Sequence, residues 1–266
     1  MSTTALTIAG SDPSGGAGIQ ADLKTFSALG VYGMSAITAL TVQNTQGVTG
    51  VHLLPPTFVQ GQIKSVFADI EVHAVKVGMI ATADIASAVA ETLKEVASST
   101  NIVIDPVMVA KGGSPLLAPE AVSSLTKELL PLATVITPNL EEAAALLNLP
   151  VAKDRSEMVE QAKRLLDLGV QQVLLKGGHL STPESPDLWV GSTGQQWFES
   201  KRIDTVNTHG TGCTLSSAVA AHLALGHSIS DSISRSKSYV SKAIAKADQL
   251  NIGHGHGPTH HFHSIW

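Results

Sequence analysis

Short apolar runs alternate along the chain with longer stretches of helical periodicity, and that alternation leaves few folds open. Leu6–Ala9, Ala36–Val42, Val75–Val77, Ile102–Ile104, Val135–Ile136 and Val173–Leu175 are largely apolar without strict polar alternation. Strands of that kind are covered on both faces. Between them lie helices. Ile85, Val89, Leu93 and Val96 recur at helical spacing after Thr82, a candidate N-cap, and Val159, Ala162, Leu165 and Leu166 do the same. Ser228 and Asp231 open a long last helix with Ile229, Ile233, Val240 and Ile244 on one face. A βαβα order predicts a mainly parallel sheet with helices on both sides. The segment 187–206 departs from it, since Leu188–Val190 and Trp197–Glu199 predict a hairpin around Gly191–Gly194. No Pro/Ser linker, repeat or low-complexity tract interrupts the pattern, so residues 1–266 are expected to form one α/β domain. At 43% hydrophobic residues the chain can bury a substantial core.

In open α/β sheets ligands sit beyond the carboxyl ends of the strands. The residues that follow the apolar runs are polar or glycine: Gly10, Gln43, Gly78, Asp105, Asn139 and Lys176. Strands must end in something, so the chemistry of this set has to decide whether it marks a site.

Several functions are excluded early. The net charge is −5 and aromatic residues make up 4%. A general nucleic-acid surface wants a basic excess, and single-strand binders also want aromatic platforms. Cys213 is the one cysteine, so no internal disulfide forms and a reducing compartment is expected. Met1–Thr4 has no basic segment, the apolar run after it stops at Gly10, and no apolar stretch is long enough for a bilayer. The expectation is a cytoplasmic protein with no membrane partner.

Gly10-Ser11-Asp12-Pro13-Ser14-Gly15-Gly16-Ala17-Gly18 follows a strand and opens a helix. It superficially fits a dinucleotide fingerprint, but the second strand ends in Gln43-Asn44, with no acid for a ribose hydroxyl. It is no Walker loop either, because Gly-Lys occurs nowhere in the chain. The glycines would let the backbone approach a bound molecule, with Asp22 one turn into the helix. The plainer reading is a flexible connection with a solvated Asp22.

The most informative stretch is Asn207-Thr208-His209-Gly210-Thr211-Gly212-Cys213-Thr214, followed by small helical residues from Leu215 to Leu225. Gly-x-Gly before a helix points several N–H groups at one spot, and the helix dipole adds partial positive charge. Phosphoryl transfer needs such donors where charge accumulates on the moving group. Cys213 stands at the helix start, where a thiolate is favoured and can take a proton from an attacking hydroxyl. A lone cysteine is equally often a small buried hydrophobe. Asn139-Leu140-Glu141-Glu142 opens a helix after Thr137-Pro138. A carboxylate there is ordinarily dipole compensation, and the second reading has Glu142 hold Mg²⁺ through water. Asp105-Pro106 is a turn, or a carboxylate near a metal and a reacting hydroxyl. Lys176-Gly177-Gly178 offers a lysine that either reaches a phosphate or is solvated. Lys237 is expected at the surface. Five histidines, His254, His256, His260, His261 and His263, crowd the tail, but its glycines predict no rigid scaffold and no structural metal.

Together these segments resemble the bacterial hydroxymethylpyrimidine/phosphomethylpyrimidine kinases over essentially the whole chain. Ala5 through Thr25, Gln43-Asn44-Thr45, Lys76-Val77-Gly78-Met79, Asp105-Pro106-Val107-Met108, Thr137-Pro138-Asn139 with Glu142, Lys176-Gly177-Gly178 and Asn207 to Thr214 look like that family's motifs in order, and the His-rich tail is similar to its ending. The resemblance implies a ribokinase-like, three-layer α/β/α fold. It implies that ATP phosphorylates 4-amino-5-hydroxymethyl-2-methylpyrimidine and then its monophosphate, in thiamine synthesis. Gly10, Asp22, Gln43 and Met79 would line the pyrimidine pocket. Cys213 would be the base in an anion hole built by Gly210, Thr211 and Gly212, beside Asp105. Asn139, Glu142 and Lys176 would face Mg²⁺ and nucleotide. A homodimer is implied as well. The rivals are a pyridoxal kinase of the same fold, a nucleotide-binding regulator without turnover and, further off, a dehydrogenase.

Overall fold

A computed structural model describes residues 2–109, 121–180 and 182–266. Its frame is one nine-stranded sheet in the order β3-β2-β1-β4-β5-β6-β7-β8-β9. The strands are β1 (Thr4–Ser11), β2 (Tyr32–Asn44), β3 (Gly47–Leu53), β4 (Ala74–Val77), β5 (Asn101–Ile104), β6 (Val135–Ile136), β7 (Gln172–Lys176), β8 (Asp187–Gly191) and β9 (Gly194–Phe198). From β2 to β7 the neighbours are parallel, while β3 on one edge and the β8–β9 hairpin on the other run antiparallel.

Successive strand residues point to opposite faces, which sorts the core into two layers. Leu6, Ile8, Val75, Val77, Ile102 and Ile104 face one way. They meet Val59 and Ile63 of α2 (Pro56–Asp69), Ile85, Val89 and Leu93 of α3 (Ala83–Val96), and Met158 and Leu165 of α6 (Arg155–Leu166). The short helices α4 (Ala121–Ser124) and α5 (Leu140–Leu147) complete that layer. Ala5, Ala74, Val103, Val135 and Leu174 face the other way, against Phe26 of α1 (Gly18–Ala28), Val219 of α7 (Thr211–Ala224) and Ile233 and Val240 of α8 (Ile229–Ala245). Every residue of α7 from Thr214 to Ala224 is buried. Its run of alanines and serines lets it lie close to the sheet while α1 and α8 cover its outer side.

The expected caps form: Thr82 Oγ1 accepts from the Ile85 amide and Ser228 Oγ from the Asp231 amide. The expected hairpin is β8–β9. β3 has no counterpart among the strands read from sequence. It lies beyond β2 as an edge strand, and Thr49, Val51, His52 and Leu53 are all exposed, so burial imprints no two-residue apolar rhythm on it. The tail also departs from expectation, being packed rather than loose. His256 N–H donates to the Thr45 carbonyl, His209 N–H to the Gly257 carbonyl, and His260 N–H to the Ala243 carbonyl. His260 and His261 are buried, and Tyr239 Oη donates to the His261 carbonyl. The glycines serve this packing, since a Cβ at Gly255 would collide with the Thr45 carbonyl. No helix among the described residues is long and apolar enough to cross a membrane.

Candidate active site

Beyond the carboxyl ends of β1, β4, β5 and β7, and against the N-terminus of α7, lies a cavity of about 550 Å³. Gly10, Gln43, Met79, Asp105, Asn139, Glu142, Lys176, Gly210, Thr211, Gly212 and Cys213 all line it. One expected residue does not. Asp22 is fully buried beneath the floor and does not reach the cavity. Its two carboxylate oxygens lie 3.0 and 2.9 Å from Lys76 Nζ and also accept from Thr7 Oγ1 and Ser217 Oγ, each at 2.6 Å. It is neither solvated nor a direct pocket group. The physical reason is Lys76. A lysine inside the apolar strand β4 must be paired, and Asp22 supplies the charge. Burial would drag the Lys76 ammonium down, yet Asp22, with Cys213 and Asp105 nearby, holds it above its ordinary value.

The glycine-rich turns meet over this floor. Gly210 caps α7 at a φ of 78°, and a Cβ on it would collide with the Gly16 carbonyl. Only glycine permits that approach, which presses the 10–18 loop onto the start of α7. Thr211 N–H donates to the Thr208 carbonyl and Thr214 N–H to the Gly210 carbonyl. The amides of Gly212 and Cys213 have no acceptor among the described residues. The first turn of α7 thus offers two free donors on the positive end of its dipole. Thr211, expected to join them, has its amide already engaged.

Cys213 sits half-buried beside them. Burial pushes its thiol up to about 11, against the downward pull of Lys76, with Asp22 and Asp105 adding to the rise and the Gly18 amide drawing it back. Cys213 therefore keeps a protonated thiol at neutral pH, and the thiolate expected from the helix start alone is absent, because desolvation outweighs the dipole.

Against the same turn, where a Cβ on Gly212 would lie 3.4 Å from its Nζ, Lys176 is 2.9 Å from Asp105 Oδ1 and 3.9 Å from Glu142 Oε2. Burial lowers Lys176, but Asp105 and Glu142 together raise it above its usual range. Asp105 is raised by burial yet held below the usual carboxylate range by Lys176 and Lys76. Glu142 is pushed up to about 7, by burial first, with Lys176 opposing and Asp105 adding to the rise. Asn139 and Glu142 form a reciprocal capping box on α5, so the plain dipole role is present. Glu142 also faces the cavity, with Oε1 free of protein partners among the described residues. Asp105 is already paired with Lys176, and Glu142, poised near 7 with one oxygen free, would give up its proton to a hard cation, so the residues present fit Mg²⁺ held by Glu142 through water.

Sequence reasoning passed over several groups. His209 Nε2 is 2.8 Å from Asp12 Oδ2, and both line the cavity with Thr41. The signal for Lys76 was its charge inside an otherwise apolar strand. Lys237, expected at the surface, is half-buried against Asp187 Oδ2 at 2.6 Å and joins α8 to β8.

The family model for phosphomethylpyrimidine kinase matches residues 12–260. The chain belongs to the phosphomethylpyrimidine kinase family. It is a phosphotransferase. A hydroxymethylpyrimidine/phosphomethylpyrimidine kinase of Escherichia coli strain K12 is 55% identical over 262 residues, covering 98% of each chain. A phosphomethylpyrimidine kinase of Clostridium difficile 630 superposes with a TM-score of 0.81 at 45% identity, covering 91% of this chain and 99% of that one. A Bacillus subtilis pyridoxal kinase in complex with ADP superposes with a TM-score of 0.90 at 42% identity, covering 98% of each. The expected fold is therefore the observed one. Within this kinase family member, the geometry yields two expectations. Lys76→Met strands a buried carboxylate and should cost about 3–5 kcal/mol in urea denaturation. Adding Asp22→Leu should recover much of that loss. For Glu142, the folded carboxyl keeps its proton to higher pH than the unfolded one. Its contribution to stability is full below about 4.5 and is lost as pH rises through about 7. Thermal melts of Glu142→Gln should lack that decline, so the gap between wild type and variant should change across this window.

Proposed function

We propose that this kinase transfers the γ-phosphoryl group of ATP to 4-amino-5-hydroxymethyl-2-methylpyrimidine, and then to the resulting monophosphate. The observation that carries the reading is the pair of free amides at Gly212 and Cys213, facing the same cavity as Gln43 and Met79. The cavity presents donors for a phosphoryl group. It also presents an amide and a soft thioether, suited to the polar edge and the face of an aminopyrimidine.

In the first step the hydroxymethyl oxygen forms a bond to the γ-phosphorus, and the bond from that phosphorus to the ADP oxygen breaks. The Gly212 and Cys213 amides donate to the oxygens of the moving group where charge gathers. The hydroxyl proton goes to Cys213 sulfur. Because that sulfur holds a proton at neutral pH, the step runs through the minor thiolate form and draws on Lys76 beneath it. Lys176 balances phosphate charge, drawn between Asp105 and Glu142. Asn139 orients Glu142 through the capping box. Mg²⁺, held from Glu142 through water, would neutralise nucleotide phosphate charge. In the second step the nucleophile is an ionised phosphate, and no base is needed.

The reading extends to the whole of residues 1–266 as one kinase unit acting in the cytoplasm. A homodimer is part of it, supported by the β2–β3 ribbon, where Leu40, Val42, Val51 and Leu53 are exposed on an edge. Phosphorylation of pyridoxal is the second reading, favoured by the likeness to the Bacillus subtilis enzyme.

Incubation with ATP, Mg²⁺ and the hydroxymethylpyrimidine should give mono- and diphosphate by mass. ADP release with pyridoxal alone would reverse the order of the two readings. Cys213→Ala should slow the first phosphorylation by roughly 10²–10⁴ and the second far less. The wild-type first step should also accelerate from pH 7 to 9, as the thiol begins to ionise, and the variant should lose that rise. Equal losses in both steps would leave Cys213 a part of the anion hole without a proton-transfer role.

A further inference from the structure

Three local irregularities converge on Met79. The first lies between β1 and β2, where Ala9 pairs with Ile37 but Ser11 pairs with Leu40, so that Thr38 and Ala39 together oppose Gly10. Such a bulge breaks the alternation of a strand, and Thr38 and Ala39 are both fully buried although adjacent. Thr38 Oγ1 reaches across to donate to the Met79 carbonyl at 2.7 Å. The second is Gly10, where a Cβ would lie 2.9 Å from Met79 Sδ, so the sulfur rests on bare backbone. The third is a three-residue turn just beyond Met79. Thr82 N–H donates to the Ile80 carbonyl at 2.9 Å, with Ala81 between them at a φ of 70°. This is the rare hand of γ-turn, and it strains an alanine. Among the described residues the other non-glycine positions of positive φ are Asn148 and Asn251, and asparagine visits that region readily. Ala39, Met79 and Ala81 form a small buried cluster of their own, apart from both layers of the core.

We propose that Thr38 and Ala81 are positioning residues that hold Met79 in a fixed pose across Gly10, as a preformed platform for the face of the substrate ring. The proposal deepens the function proposed above and rests on it for the identity of the ring. A methionine side chain has three rotatable bonds and by itself makes a soft, mobile surface. Here its carbonyl is tethered to the bulge of β2, its chain is turned away by the strained turn at Ala81, and its stem is flanked by two alanines. The freedom that a ring would otherwise have to freeze on binding is removed in advance, so the effect falls on substrate affinity. The strain at Ala81 persists because the surrounding packing holds it, as backbone strain beside a binding site commonly does. Met79 supplies the contact, and Thr38 and Ala81 decide where it stands.

Two measurements test this. The first is steady-state kinetics. Thr38→Val keeps the side-chain shape but strands the Met79 carbonyl, and it should raise KM for the hydroxymethylpyrimidine about tenfold while leaving kcat and KM for ATP unchanged. Thr38→Ser, which retains the hydroxyl, should restore most of the wild-type value. Ala81→Gly relaxes the turn and removes a flanking methyl. Its melting temperature should hold or rise while KM for the pyrimidine rises, a split that a merely structural residue would not show, and it serves if Thr38→Val does not fold. The second measurement needs no turnover. The chain has five methionines, so ¹³C-methyl NMR of the ligand-free protein, assigned with Met79→Leu, resolves the side chain in question. The Met79 methyl should be ordered in the wild type and conformationally averaged in Thr38→Val and Ala81→Gly. An unchanged KM for the pyrimidine in both variants, an equal rise in KM for ATP, or a Met79 methyl already averaged in the wild type would overturn the proposal. A wild type that phosphorylates neither the pyrimidine nor its monophosphate would defeat the proposed function, and the methyl spectrum would still decide whether Met79 is held.

Discussion

The ion pair between Asp22 and Lys76 is the constraint on which the site's geometry hangs. It is fully buried and joins α1 to β4, with Thr7 of β1 and Ser217 of α7 completing its hydrogen bonds. Thr7 and Lys76 are register partners on adjacent parallel strands, so the pair is centred under the strand ends. A buried pair adds little to stability over apolar residues of the same size, but breaking one half is costly. What it secures is placement. The helix carrying the anion-binding turn and the helix following the glycine-rich loop are both pinned to the same two oxygens. Its charge also acts upward, on the thiol at the cavity floor.

A second electrostatic group adjoins the start of α7. Lys176 lies between Asp105 and Glu142, and Lys237 holds Asp187 on the neighbouring strand. Asp187 also accepts from the Gly177 amide, so the strand end that carries Lys176 is tied to α8 at one remove. Fixed charges and free amides therefore converge in one place, since a Cβ on Gly212 would lie 3.4 Å from Lys176 Nζ and 3.6 Å from Asp105 Oδ2. A cavity so preorganised orients a phosphate before any chemistry occurs.

Much of this was legible in the sequence, for definable reasons. Strands buried on both faces leave long apolar runs, and the residues that end them fall at one rim, so Gly10, Gln43, Asp105, Asn139 and Lys176 could be gathered without coordinates. Asp22 was misplaced because spacing puts it near the glycine loop but says nothing of which helix face it occupies. Lys76 is the residue that turns it inward, and a contact between positions so far apart leaves no local trace. Lys237 escaped for the same reason, its partner lying on β8. β3 lacks an apolar rhythm because it is exposed, and the packed tail is glycine-rich because it runs close against the Thr45 turn, which mimics the composition of a loose end. His209 stood in view within the Gly-x-Gly motif, yet its partner Asp12 is 197 positions away.

That separation has a kinetic side. The bonds joining Asp12 to His209 and Asp22 to Ser217 close loops of 197 and 195 residues. Contacts so distant carry the largest closure entropy and tend to form late. A chain with most of its sheet already paired would still lack the turn that receives phosphate. Incomplete folding intermediates should therefore be silent toward nucleotide rather than wasteful of it, and recovery of nucleotide binding after denaturation would report the final docking of α7 rather than the growth of the sheet.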